Sequence, residues 1–295
     1  IASDGARDSY IGESEVVDSI RDFILNGIDW ECQVKTLFRN KNLGCKNAIS
    51  GAIDWLFQSE DQGIIIEDDC VPSYSFFVFC QEMLDRFKND NSIMHINGNY
   101  FLNGVCNLKS DYYLSKINGV WGWATWKRAW KHYDNSMDGY ISNKEKGVIS
   151  KYFENSDMNY WMTQYFDDVF FNQNGSNWDP VWSYAIVKNN ALCISPSINL
   201  VKNIGFNGDS STHGSSDSFS LYGEFENDEF DSLSHPEKLI YNPHIDAIQI
   251  QTIVKPTDPV FLVKDFKHYF KKIFILSRYP RYIKKIISNL ESKLQ

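Results

Sequence analysis

Residues 63–70 read Gly-Ile-Ile-Ile-Glu-Asp-Asp-Cys, and this segment is the most informative one for predicting the fold. An unbroken run of β-branched residues predicts a buried strand, and a parallel one, because parallel strands are covered on both faces. Three carboxylates follow at the carboxyl end of the strand, which is where ligands bind in open α/β sheets. Adjacent acids repel one another, so the arrangement predicts a hard cation, Mg²⁺ or Mn²⁺, that carries a phosphate-bearing substrate. An acidic turn that caps the next helix is the alternative interpretation.

The segments around this strand alternate between helix and strand. Apolar spacing predicts helices over 16–25 (ended by Gly27), 46–57, from Pro72 onward (capped by Ser73 or Ser75) and over 158–172, and strands over 34–38, 93–96 and 192–194. Asp179 and Pro180 predict the N-cap and first turn of a further helix. The alternation predicts an α/β fold with a parallel or mixed sheet that helices cover on both faces.

Composition limits the class of protein. A chain of 295 residues with 43% hydrophobic residues can form one large α/β domain with a small appendage. No run of about 18 apolar residues is present, so the sequence predicts no transmembrane helix, and no signal peptide is visible. The six cysteines are scattered without a CxxC pair. They are interpreted as reduced thiols of a cytoplasmic protein, not as a zinc site or a disulfide framework.

The net charge of −9 conceals an asymmetry. Residues 264–295 carry nine Lys or Arg and two acids, which leaves 20 basic and 36 acidic residues in the rest of the chain. A basic, amphipathic tail on an acidic body predicts a surface that meets anionic lipid. Packing of its aromatic faces on the catalytic domain is the alternative. Nucleic acid is disfavoured as a partner because the acidic body would repel it.

Several short motifs occur in a recognisable order within residues 1–215. They are Asp4-Gly5, Asn42-Leu43-Gly44, Glu67-Asp68-Asp69, Trp121-Gly122-Trp123-Ala124-Thr125-Trp126, Trp178-Asp179 and Thr212-His213. Together they resemble nucleotide-sugar-dependent glycosyltransferases of the GT-A fold. The resemblance is closest to bacterial family-2-like enzymes related to the inverting N-acetylglucosaminyltransferase I group. It implies a Rossmann-like GT-A domain over residues 1–225, followed by an acidic linker and the basic amphipathic tail over 226–295. The first strand of that fold is expected before Ile1 and is absent.

The resemblance also implies a metal and donor site. Asp69 would contact the metal that binds the donor diphosphate, and His213 would complete the binding of metal or diphosphate. Glu67 and Asp68 would contact the ribose or the sugar, and Asp4 the base or the ribose. For His213, a loop histidine in solvent is the alternative.

The loop after the second predicted strand is expected to meet the donor as well. Asn42 and Gly44 would approach it closely, since glycine lets backbone come near a ligand. Arg39 would pair either with phosphate or with surface acids.

Asp179 matters most for the chemistry that the resemblance implies. Inverting transfer needs a carboxylate that deprotonates the acceptor hydroxyl, and such enzymes carry it at the start of a helix after the sheet. A plain helix N-cap is the alternative role, and Asp167 and Asp168 are the substitutes. At least one of Trp121, Trp123 and Trp126 is expected to stack on donor or acceptor sugar, with the others in the core.

The sequence therefore predicts an inverting, metal-dependent glycosyltransferase that uses a UDP-sugar. Its acceptor would be a glycan or lipid-linked acceptor in surface polysaccharide synthesis, at the cytoplasmic side of the plasma membrane. Two alternatives stay open. One is a non-catalytic glycan-binding or scaffold protein on the same fold. The other is a sugar nucleotidylyltransferase, which would need a Gly-rich basic loop for triphosphate that the chain does not show.

Overall fold

The computed structural model describes residues 1–102, 108, 110–172, 177–205, 230 and 232–254. Residues 251–254 are described by their backbone alone. The chain divides into two compact units, Ile1–Ala247 and Ile248–Gln295, and only helical residues 248–254 of the second are described. His213 and the basic tail over 264–295 lie outside the described residues. Within the described residues, no helix is long and apolar enough to cross a membrane.

Short strands and helices follow one another along the first unit. The strands are β1 (Ala2–Ser3), β2 (Leu37–Phe38), β3 (Gln62–Ile65), β4 (Cys70–Pro72), β5 (Ile93–Asn97), β6 (Tyr112–Ser115), β7 (Trp123–Trp126), β8 (Leu192–Pro196) and β9 (Val201–Asn203). The helices are α1 (Glu13–Asn26), α2 (Gly44–Ser59), α3 (Tyr74–Arg86), α4 (Lys127–Trp130), α5 (Tyr140–Glu145), α6 (Val148–Tyr152), α7 (Ser156–Phe171), α8 (Asp179–Lys188) and α9 (Pro243–Val254), the last of which runs across the unit boundary.

Five strands form a mixed sheet in the order β3-β7-β5-β8-β6. Strands β5 and β8 are parallel, and the other three pairs are antiparallel. A parallel pair β1-β2 and an antiparallel pair β4-β9 complete the strands. The expectation of an α/β fold with a mixed sheet is confirmed. The expectation of a buried parallel strand over 63–66 is wrong, because β3 is half-buried and runs antiparallel to β7.

Helices cover the two faces of this sheet. Adjacent residues of a strand point to opposite faces. Ile96 of β5 packs in a core cluster with Phe76, Phe79 and Met83 of α3. Its neighbour His95 accepts a hydrogen bond from the indole Nε1–H of Trp182 in α8 at 3.0 Å. The sheet is therefore a central layer between α3 and α8.

Most helix ends lie where the sequence predicts them. Helix α1 ends at Gly27, and Ser73 caps α3 by accepting a hydrogen bond from the N–H of Phe76 at 3.3 Å. Most apolar residues of α1 are nevertheless exposed, and Phe23 is 78% exposed. The strand expected over 34–38 pairs only at Leu37 and Phe38. The described cysteines are free thiols, as the sequence predicts: Cys32, Cys45, Cys70, Cys80 and Cys193.

Candidate active site

The acidic triplet begins two residues after β3. The N–H of Cys70 donates to the carbonyl of Glu67 at 3.1 Å, and this turn leads directly into β4. Beside it, at the end of β9, the N–H of Ile204 donates to the backbone carbonyl of Asp69 at 2.8 Å. A Cβ atom on Gly205 would lie 2.5 Å from Oδ2 of Asp69. Only glycine lets the chain pass so close to this carboxylate.

Glu67 lies in a crowded acidic environment. Its pKa is raised to about 7, chiefly by burial and also by the charges of Asp69, Asp179 and Asp68, against a side-chain hydrogen bond with Trp178 that lowers it. Its Oε1 atom is buried without a hydrogen-bond partner. In the described part of the chain, no salt bridge joins any of the three triplet carboxylates to a basic side chain. Within the described residues, few basic partners therefore balance the negative charge of the site.

The beginning of α2 is tied down by Asp4 and Asn42. The Asp4 carboxylate accepts the N–H groups of Leu43 at 2.9 Å and Gly44 at 3.1 Å. Asn42 donates to the carbonyl of Gly5 at 2.8 Å and accepts from the N–H of Gly44 at 3.1 Å. Gly44 has a φ of 74°, in the left-handed region that favours glycine. These bonds fix the loop that leads into α2.

Cys45, which follows in α2, shows that this loop faces the acids. The pKa of its thiol is raised to about 11, chiefly by partial burial and also by the charges of Glu67, Asp179, Asp68 and Asp4. Carboxylates from β1, the end of β3 and the start of α8 therefore act on one thiol. The structure brings together five of the predicted site residues around it: Asp4, Gly44, Glu67, Asp68 and Asp179.

Asp179 is the first residue of α8. The N-cap is Trp178, so the prediction that Asp179 itself occupies the N-cap is wrong. The hydroxyl of Tyr165 in α7 donates a hydrogen bond to Oδ2 of Asp179. Trp178, besides its hydrogen bond with Glu67, stacks on Trp123 with ring centroids 5.5 Å apart. Trp178 thus connects the acidic triplet to the core, and the adjacent Asp179 is connected to α7 through Tyr165.

The two substitute bases have other partners. Asp167 forms a salt bridge with Lys144 at 2.5 Å and accepts a hydrogen bond from the hydroxyl of Tyr140 at 2.8 Å. Asp168 is exposed and accepts from the side chain of Asn172 at 2.7 Å. Neither carboxylate is among the groups that raise the pKa of Glu67. The geometry favours Asp179 over both.

The three candidate stacking residues differ in exposure. Trp123 is 0% exposed and lies against His95, and Trp126 is 2% exposed and donates to the carbonyl of Leu84 at 3.0 Å. Trp121 is half-buried and meets Phe101 edge to face with centroids 5.6 Å apart. Of the three, Trp121 is the one with surface to offer a sugar.

The hydrogen bonds of Arg39 go to residues other than the acidic triplet. Its Nη1 donates to the carbonyl of Ala48 in α2 at 3.1 Å, and its own carbonyl accepts from Arg21 at 2.8 Å.

In the parts of the chain that the structure describes, no three His, Cys, Asp or Glu side chains are arranged as a complete metal site.

Sequence reasoning missed three contributors to the site. Cys45 carried a signal, because it directly follows the Asn-Leu-Gly stretch that opens α2. Tyr165 and the Trp178–Glu67 contact carried none, because each partner is distant in the sequence.

Two comparisons with known proteins find no relative of the chain: no family model matches it, and no curated protein matches it significantly.

Proposed function

We propose that the chain is a metal-dependent, inverting glycosyltransferase of the GT-A fold. Its donor is a nucleoside-diphosphate sugar, with UDP-sugars favoured, and its product belongs to a surface polysaccharide. One observation carries the proposal: Glu67 and Asp68 after β3, and Asp179 more than 100 residues further along the chain, all raise the pKa of the same thiol, that of Cys45. Carboxylates gathered at the end of a strand and the start of a helix are suited to a cationic or cation-bound ligand.

The residues fit a hard divalent cation. Carboxylate oxygens are the ligands that Mg²⁺ and Mn²⁺ prefer. The pKa of Glu67 is raised first by burial and then by the charges of Asp69, Asp179 and Asp68, and a cation would compensate those charges. Such cations use one or two carboxylates together with phosphate oxygens and water, so a complete protein cage is not required. Asp69 would hold the ion, and His213 remains its sequence-based second ligand. When bound, the ion would neutralise the departing diphosphate.

Asp179 supplies the base. It accepts the proton of the acceptor hydroxyl as that oxygen forms its bond to the anomeric carbon. The bond from that carbon to the diphosphate oxygen breaks, and its electron pair leaves with the diphosphate. Because attack and departure occur on opposite faces, the anomeric configuration inverts.

The donor and the acceptor meet on the open side of this acidic space. Asp68 is exposed there, and Asp4 and Asn42 hold the loop before α2. In this proposal Arg39 meets phosphate only after its bond to Ala48 is released. Trp121 offers the stacking face for a glycan or lipid-linked acceptor.

The basic tail over 264–295 would bring the enzyme to an anionic membrane surface at the cytoplasmic face. Vesicles that contain anionic lipid test this part separately, because binding should weaken with added salt. Deleting residues 264–295 should abolish the binding, and unchanged binding would contradict the membrane role.

Calorimetric titration tests the site directly. UDP and GDP are titrated with and without Mn²⁺ into the wild type, into Asp69→Ala and into Asp61→Ala. Asp61 is a matched control, because it is an exposed aspartate beside the opposite end of β3. Mn²⁺-dependent UDP binding that only Asp69→Ala loses is the expected result.

Other outcomes separate the alternatives. Binding with neither transfer nor hydrolysis of a UDP-sugar would favour a glycan-binding or scaffold protein. Release of pyrophosphate from a sugar phosphate and a nucleoside triphosphate would identify a nucleotidylyltransferase. Absence of any nucleotide binding would contradict the proposal.

A further inference from the structure

Helix α7 contributes one side chain to the candidate site. The Tyr165 hydroxyl donates its hydrogen bond to Oδ2 of Asp179, from one helix to the next. Tyr165 is half-buried, and its pKa is raised well above the ordinary value, chiefly by burial and also by the charge of Asp179 and this hydrogen bond. Tyr165 therefore keeps its proton at physiological pH and acts only as a donor.

Asp179 meets several titratable groups besides Tyr165. From other elements of the described chain, its charge acts on Glu67 after β3, on Cys45 in α2 and on Tyr133 after α4. The carboxylate of Glu67 repels it, whereas the Tyr165 hydroxyl attracts it. A base that must face an acceptor hydroxyl needs a fixed orientation, and a misplacement of about 1 Å costs on the order of 100-fold in rate.

The chain contains a matched arrangement that serves as a control. Tyr140 also donates its hydroxyl to an aspartate of α7, Asp167, at 2.8 Å. That carboxylate is paired with Lys144 and is not among the groups that act on Glu67 or Cys45. Tyr140→Phe and Tyr165→Phe thus remove the same chemical group from two different carboxylates.

We propose that Tyr165 is a positioning residue for Asp179: its hydroxyl orients the carboxylate and favours the charged form that accepts a proton. The catalytic part of this inference rests on the proposed function, in which Asp179 is the base. The positioning itself does not, since it is a property of the hydrogen bond.

The carboxyl ¹³C NMR titration of Asp179 tests the positioning without any assay of transfer. The Asp179 signal is assigned with Asp179→Asn, and its titration is followed in the wild type, Tyr165→Phe and Tyr140→Phe, all without metal. A hydrogen bond to a charged carboxylate favours the charged form. Its loss in Tyr165→Phe should move the Asp179 midpoint up by about one pH unit. Tyr140→Phe should leave that midpoint in place, and an unchanged midpoint in Tyr165→Phe would overturn the inference.

Kinetics then separate this inference from the proposed function. Tyr165→Phe should lower kcat by about 10–100-fold with the donor KM unchanged, and should move the acidic limb of the pH–rate profile upward. Asp179→Asn should abolish transfer. If Asp179→Asn keeps full activity, the base assignment fails while the NMR result still stands. If Asp179→Asn is inactive and Tyr165→Phe behaves as the wild type in rate and pH profile, the catalytic part of the inference is wrong.

Discussion

The carboxylate of Asp4 accepts the backbone N–H of Gly44 at 3.1 Å, which joins the end of β1 to the first residue of α2. With the N–H of Leu43 at 2.9 Å, it satisfies two donors that a helix start leaves unpaired. A carboxylate at this position also interacts favourably with the helix dipole. Asp4 thus acts as a cap supplied from outside the helix.

Replacing Asp4 by alanine should lower the free energy of unfolding by about 1–2 kcal/mol, the usual cost of a lost helix cap. Urea denaturation measures this cost. Asp8→Ala, an exposed aspartate of the same loop, is the control and should change stability little. A loss of UDP affinity without a loss of stability would instead indicate that Asp4 contacts the nucleotide directly.

Glu67→Gln should stabilise the protein in a pH-dependent way. The folded-state pKa of about 7 exceeds the ordinary value of about 4.5 for a glutamate in the unfolded chain, so the folded state binds more protons between these two pH values. The wild type therefore loses stability as pH rises from about 4.5 to 7, and glutamine removes that loss. The advantage of Glu67→Gln should be near zero at pH 4 and on the order of 3 kcal/mol at pH 8.

Thermal unfolding at both pH values measures the effect of Glu67→Gln. Glu31→Gln replaces an exposed glutamate and should show no such trend. An equal effect of Glu67→Gln at the two pH values would mean that the acidic neighbours do not act on Glu67.

Gly205→Ala should weaken cation-dependent nucleotide binding. Its new Cβ would lie 2.5 Å from Oδ2 of Asp69 and would push the carboxylate away. Displacement of a ligand's support costs about 10–100-fold in metal affinity. Titration of UDP in the presence of Mn²⁺ measures the loss, and Gly119→Ala is the control because its nearest neighbour would lie at 3.4 Å. Wild-type affinity in Gly205→Ala would argue against Asp69 as the metal ligand.

Trp121 and Trp123 should respond differently to alanine. Trp123 is fully buried, and its removal leaves a large cavity that should cost about 3–5 kcal/mol of unfolding free energy. Trp121 is half-buried, so Trp121→Ala should cost much less stability and mainly raise the KM for one substrate. Urea denaturation and steady-state kinetics of both variants check the contrast. Comparable losses of stability would mean that both residues serve the core alone.

Local patterns were sufficient for some elements of the fold. The three isoleucines before Glu67 indicated a strand, and the Asp-Pro pair at residues 179 and 180 indicated a helix start. Both signals arise from the backbone preferences of neighbouring residues. The acidic triplet likewise stood out in the sequence as a candidate site, because like charges rarely stand together without compensation.

Contacts between residues that are distant in the sequence could not be predicted from local patterns. The antiparallel pairing of β3 depends on β7, whose Trp-Ala-Thr-Trp sequence gave a strand signal too short to read. β3 is half-buried because it lies at the edge of the sheet, with β7 as its neighbour. Tertiary packing decides which strand lies at an edge and which in the middle, and local sequence does not show it. Tyr165 meets Asp179 only because α7 and α8 pack together.

Trp178 also has a spectroscopic consequence. Its side chain is hydrogen-bonded to the carboxyl of Glu67, and its indole stacks on Trp123. Trp130 lies 6.3 Å from it between ring centroids, close enough for excitation energy to pass among the three indoles. Emission from the whole cluster should therefore respond to the charge state of one acid. The protein carries its own unlabelled fluorescent reporter of what enters the acidic space.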